Sequence, residues 1–302
     1  MIKKLTVISI VLLGSIFTYW YNFIALKEAP MLQANILQHY TYRYTDDLIL
    51  EMVEIEPRLF TFTYRSFDGS IVNGQISYPK IKAEKYPVVL GVSAMGRGAL
   101  RWWVDSFKGR PTVTQVNKIS KLAESNGYVV IAIDARFHGN RKNPERTLSS
   151  IMNDLHFFGD KTDYEAMIRD TVLDYRVLLD WVEQQSNLDS KNTKIVGYSM
   201  GGQIAIILGS LDDRIEEIIS IVPPYIDDKM AMVAPKNFIS LLQNKRVLLV
   251  TADDDENASD DENDNIYKLI PSENKQRIDF DGGHILPENY VESLEKWFAN
   301  HN

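Results

Sequence analysis

The sequence predicts an α/β domain built on a mostly parallel sheet with helices on both faces. Three observations carry this. Apolar runs that read as strands, at 88–92, 128–133, 193–198, 218–222, 247–251 and 277–280, are separated by helical stretches at 115–126, 163–185, 200–210, 263–269 and 286–299. The runs are continuous rather than alternating, so both faces of the sheet must be covered. Finally, Gly197-Tyr198-Ser199-Met200-Gly201-Gly202 joins one such strand to the helix that follows it, a context in which a serine sits on a sharp, strained turn with its hydroxyl exposed.

The elements follow in order. Lys3 and Lys4 precede residues 5–26, a run of 22 without a formal charge that ends in Tyr19, Trp20 and Tyr21. That length suffices to cross a bilayer and the aromatic residues suit its interface, which predicts an N-terminal transmembrane anchor with the remainder extracytoplasmic. The rival reading is a cleaved signal with an apolar core at 6–17, leaving a secreted or periplasmic chain. Phe23-Ile24-Ala25 lacks the small residue that cleavage favours. Residues 27–56 read as a linker with a pre-domain helix, and 57–302 as the main domain. Two alternating stretches, 59–66 and 71–78, flank Asp68-Gly69 and form a hairpin. Segments 97–112, 136–162 and 223–240 are too long for tight turns and form a small roof over the sheet edge.

Composition narrows the function. The chain has 302 residues, of which 45% are apolar, and a formal charge of −8. The charge leaves no basic stripe on which nucleic acid could dock. With no cysteine, disulfides, thiol catalysis and thiolate metal sites are excluded.

A serine hydroxyl needs a base within hydrogen-bond reach, itself oriented by a carboxylate. Of the five histidines, His284 stands in Asp281-Gly282-Gly283-His284, directly after the last strand and on the same sheet edge as Ser199. The strand at 247–251 ends in Asp253, Asp254 and Asp255, three candidates for the carboxylate. The order is serine, acid, histidine.

With these residues in place, the chain resembles the α/β-hydrolases, nearest to the dienelactone hydrolase, acetyl-xylan esterase and acyl-peptidase-like branches. The resemblance spans residues 86 to 299 and includes Asp174-Tyr175-Arg176 through Trp181 and Asp134-Ala135-Arg136-Phe137-His138-Gly139. It implies a Ser199–Asp255–His284 triad, with Thr251-Ala252 in the place of the family's His-Gly before the acid. The family's oxyanion loop reads His-Gly-x-Gly-Gly. Here Ser93-Ala94-Met95-Gly96-Arg97-Gly98 stands there, leaving the backbone N–H groups of Met95 and Met200 as donors.

What the resemblance implies is a serine hydrolase acting on small-molecule esters, without cofactor or metal. A serine peptidase and an inactive binding protein are the alternatives. His138 reads as a supporting residue or a substrate contact, and Trp102-Trp103 as roof packing or a pocket wall. Arg97 reads as a solvated loop residue or a contact for a substrate carboxylate. The run from Asp253 to Asp264, eight acids in twelve residues, reads as a solvated loop rather than a calcium site.

Overall fold

The structure is a computed structural model that describes residues 2–299, apart from the side chains of residues 2–5, 7 and 8. Its strands are β1 (Glu51–Glu56), β2 (Leu59–Arg65), β3 (Ile71–Ser77), β4 (Tyr86–Val92), β5 (Ser106–Phe107), β6 (Arg110–Pro111), β7 (Val129–Ile133), β8 (Leu188–Tyr198), β9 (Ile215–Ile221), β10 (Arg246–Ala252) and β11 (Lys275–Phe280). Nine of them form one sheet in the order β1-β2-β3-β7-β4-β8-β9-β10-β11, while β5 and β6 pair as a separate ribbon. The pairings from β7 through β11 are parallel, and β1, β2 and β3 join by antiparallel pairing.

The continuous apolar strands have the meaning anticipated for them. Val88, Leu90 and Val92 of β4 face one buried cluster and Val89 the other; Ile195 and Val196 of β8, and Leu249 and Val250 of β10, divide the same way. Successive side chains of a strand point to opposite faces. Each large residue buried this way contributes about 1.5–3 kcal/mol.

The helices are α1 (Ile2–Phe23), α2 (Gln33–Gln38), α3 (Val116–Ser125), α4 (Leu148–Phe158), α5 (Thr162–Gln184), α6 (Met200–Leu211), α7 (Asp260–Leu269) and α8 (Glu295–Phe298). Helices α5 and α6 pack on one sheet face and α3 and α8 on the other. From β4 the chain crosses to β7 on one side and then returns to β8 on the other. A ligand crevice is expected where strand order reverses in this way, at the C-terminal ends of β4 and β8. Register brings those ends together, with Val92 opposite Gly197 and Tyr198 opposite Ile221.

Several elements differ from expectation. Residues 27–56 hold the expected helix, α2, but also the strand β1, and they are no loose linker: Ile36 and Tyr40 are fully buried, and the Tyr40 hydroxyl donates to the carbonyl of Met232 at 3.0 Å. The roof segment 136–162 contains α4, and the final expected helix is largely a 3-10 helix at Glu288–Leu294.

The structure lends the membrane expectation no support. Among the described residues, no helix is long and apolar enough to cross a membrane. Gly14, Ser15, Thr18 and Asn22 interrupt the apolar surface of α1, the latter three donating to carbonyls one turn back. The helix end is held by protein contacts, with Trp20 Nε1 donating to the carbonyl of Phe157 at 2.6 Å. The side chains of Lys3, Lys4 and Leu5, on which part of the anchor reading rested, lie outside the described residues.

Candidate active site

The turn between β8 and α6 is fixed by close approach. A Cβ on Gly197 would overlap the carbonyl of Gly201, and one on Gly201 would overlap the carbonyl of Val92. Only glycine permits this packing. Ser199 between them adopts φ 57 and ψ −120, and its N–H donates to the carbonyl of Ile221 at 2.8 Å. A side-chain-bearing residue in that region stores strain of about 1–3 kcal/mol, and here the strain presents the hydroxyl at the sheet edge. In Gly201→Ala the obstructing atoms are backbone and cannot swing away. That substitution is expected to cost about 1–3 kcal/mol of stability, read as a lower denaturation midpoint.

The structure brings Ser199, His284 and Asp255 into one line. His284 Nε2 lies 2.7 Å from Ser199 Oγ. On the other side of the ring, Nδ1 lies 3.0 and 2.9 Å from the two Asp255 carboxylate oxygens. An ionised carboxylate only accepts, so Nδ1 carries the proton and Nε2 presents its lone pair to the serine. The Asp255 side chain is 1% exposed, and its Oδ1 also accepts the N–H of Asn257 at 2.8 Å.

The two rival aspartates are exposed and placed elsewhere. Asp253 accepts the N–H of Gly282 at 2.8 Å, pinning the histidine loop. No side-chain contact joins Asp254 to His284; its N–H donates to the Gly282 carbonyl at 3.0 Å. Three further acids of this run are also engaged: Glu262 closes a capping box with Ser259, and Asp260 and Asp264 pair with Arg277. Among the described residues, no group of three or more His, Asp or Glu side chains is arranged to hold a metal ion.

Met200 is the first residue of α6, so its N–H belongs to the first turn, which a helix leaves without internal partners. Met95 sits in a tight turn closed by the Arg97 N–H donating to the Ala94 carbonyl at 3.0 Å, with Gly96 at φ 76. That turn replaces the family's His-Gly loop. It is anchored from behind: Trp102 is fully buried against Gly91 and donates from Nε1 to Ser93 Oγ at 3.2 Å. Trp103 Nε1 donates to Ser77 Oγ at 2.9 Å. Both indoles are packing residues.

Sequence reasoning missed Tyr198. Its hydroxyl donates to the carbonyl of His284 at 2.8 Å and accepts the N–H of Leu286 at 3.1 Å, strapping the histidine loop to the nucleophile strand. Burial pushes this phenol up to about 12. Its only sequence signal is an adjacency to Ser199 that any residue could have. Glu256 adds a weaker hold, accepting the His284 N–H at 3.3 Å.

His138 is buried behind the site, with Nδ1 2.7 Å from the carbonyl of Arg136. Burial, reinforced by Lys142 and Arg141, lowers its pKa from the usual 6.5 to about 4 although the Arg136 carbonyl opposes the shift. The folded state therefore binds this proton less readily than the unfolded chain. Stability from this group is complete above about pH 6.5 and is lost as pH falls toward 4, by at most about 3 kcal/mol. Denaturation midpoints should fall across that window, and less steeply in His138→Gln.

The profile described as alpha/beta hydrolase fold matches residues 113–245. That segment includes Ser199 and ends before Asp255 and His284. Among solved structures, an acetyl xylan esterase from Paenibacillus sp. R4 superposes with a TM-score of 0.67 at 15% identity, covering 90% of this chain and 96% of that one. The chain is an α/β-hydrolase by fold. Acetyl Xylan Esterase 1 from Thermoanaerobacterium sp. aligns equally well, with a TM-score of 0.67, 15% identity and coverage of 90% and 95%. A cold-adapted esterase from an Arctic intertidal metagenomic library gives 0.57 at 17% identity, covering 84% and 98%. No curated protein sequence matches this chain.

Proposed function

We propose that this α/β-hydrolase is a serine esterase that cleaves carboxylic esters through an acyl-enzyme. Ser199 Oγ attacks the acyl carbon while His284 Nε2 takes its proton, and His284 then returns that proton to the departing alcohol. Asp255 holds the ring with Nδ1 protonated and offsets the charge it gains. The N–H groups of Met95 and Met200 receive the developing oxyanion, each worth about 3 kcal/mol of barrier. Water, activated by the same histidine, releases the acid. Catalysis is assigned to residues 57–302.

The observation that supports this most directly is the unbroken contact chain from Ser199 Oγ through His284 to Asp255, at 2.7 and 2.9 Å. The choice of esters over amides draws on the structural neighbours, whose names are those of acetyl xylan esterases and an esterase. A fluorophosphonate probe should label Ser199 covalently. In a panel of short-chain nitrophenyl esters and aminoacyl nitroanilides, the esters should be the better substrates. Labelling that persisted in Ser199→Ala would sink the assignment.

A further inference from the structure

A cavity of about 960 Å³ opens on the Gly96–Gly98 segment that follows Met95. Ser199 and His284 do not line it, but Gly96, Arg97 and Gly98 do, so its wall is continuous with the proposed oxyanion loop. Five cations face it: Arg97, Arg101, Lys108, Arg110 and Lys142. Ion pairs occupy most buried arginines elsewhere in the molecule, yet among the described residues none of these five pairs with a carboxylate. In a chain with a formal charge of −8 this is a local inversion of charge.

The two carboxylates on the wall do not neutralise it. Asp134 is committed to the N–H groups of Ala99 and Asn140, both at 2.8 Å, and burial raises its pKa. Glu51 sits on exposed β1 at the rim. Arg101 is 6% exposed; its guanidinium donates to the carbonyl of Arg110 at 2.7 Å and to Thr112 Oγ1 at 3.2 Å, and lies 5.7 Å from the centre of the Phe107 ring, with no carboxylate among these partners. Burial lowers its pKa, and the neighbouring charges of Arg97 and Arg110 lower it further. A buried cation among like charges is costly unless an anion arrives. Gln75, also 6% exposed, turns into the same cavity with Oε1 unpartnered, and an unmet buried amide needs a polar ligand.

The occupant is organic rather than a bare ion. The volume is at the upper end for small-molecule sites, and Phe62, Leu100 and Phe107 supply apolar wall between the cations. Guanidinium forks match carboxylate and phosphate oxygens in pairs.

We propose that this cavity receives an anionic group, carboxylate or phosphate, carried by the ester that Ser199 cleaves. The inference rests on the esterase reading and adds to it the substrate's charge. The anion docks among Arg97, Arg101 and Lys142, and the ester bond crosses the Gly96–Arg97 turn to reach Ser199.

The test compares matched esters: mono-4-nitrophenyl glutarate against 4-nitrophenyl valerate on the acyl side, and 4-acetoxybenzoate and 4-acetoxyphenyl phosphate against 4-acetoxybenzamide on the alcohol side. At least one anionic ester should have a kcat/KM about tenfold above its neutral partner, since charge-assisted hydrogen bonds are of that size. The benzoate and phosphate arms identify which anion fits. The preference should shrink as salt rises to about 0.5 M. It should also fall severalfold in Arg97→Gln and in Lys142→Gln, both on surface loops where folding is not at stake. Equal kcat/KM in every pair, or a preference that both substitutions leave unchanged, overturns the proposal while the esterase reading stands. Failure of all esters, with Ser199 unlabelled by the fluorophosphonate, would instead defeat the esterase reading beneath it.

Discussion

Ser199→Ala is expected to lower kcat for ester hydrolysis by about 10⁶-fold, the loss typical when the nucleophile of a serine triad is removed. The residual rate would come from substrate binding and the Met95 and Met200 donors alone. Stability should hardly change, because alanine keeps the Cβ and the same φ of 57, losing only the 2.7 Å contact to His284. Ser199→Gly separates two effects that the alanine variant combines. Glycine adopts this backbone region without strain, so it should abolish activity equally while raising stability by about 1 kcal/mol. Stopped or steady-state ester assays and urea midpoints on the three proteins measure both quantities. An alanine variant retaining more than about a hundredth of the wild-type rate would place the nucleophile elsewhere.

How much of this was legible follows from where the constraints act. The parallel strands could be read because two-sided burial demands apolar residues at every position, as in Val88, Val89 and Leu90. The serine turn could be read because backbone contacts at Gly197 and Gly201 exclude every other side chain. β1 could not: it is an edge strand exposed at all six positions, held to β2 by backbone pairing that leaves no demand on its side chains. Tyr198 was invisible because its partners, His284 and Leu286, are distant in sequence. The cationic cavity was hidden for the same reason. Arg97 and Arg101, Lys108 and Arg110, and Lys142 come from three separate stretches of an acidic chain, and only the fold gathers them. The acidic run is one feature in sequence only: Asp253, Asp255, Asp260, Glu262 and Asp264 serve different partners.

That division of labour among the acids leads to the second large effect. Asp255→Asn should lower kcat by about 10⁴-fold without unfolding the protein. The loss comes from the proton of His284. Asp255 can only accept, which fixes the proton on Nδ1 and frees Nε2 for Ser199. An asparagine in the same place can offer its NH₂ to Nδ1, stabilising the tautomer with the proton on Nε2, where it blocks attack. It also removes the negative charge that offsets the imidazolium. Asp253→Asn keeps an acceptor for the Gly282 N–H and should cost only a few-fold through a looser histidine loop. Asp254→Asn alters an exposed side chain without contact to the ring and should leave kcat within about twofold. The rank of the three losses is therefore the measurement, taken with the same ester at saturating concentration and with denaturation midpoints alongside. A larger loss at Asp253 or Asp254 than at Asp255 would reassign the acid, because the neighbouring aspartates share this loop's charge and solvent and differ mainly in what each carboxylate touches.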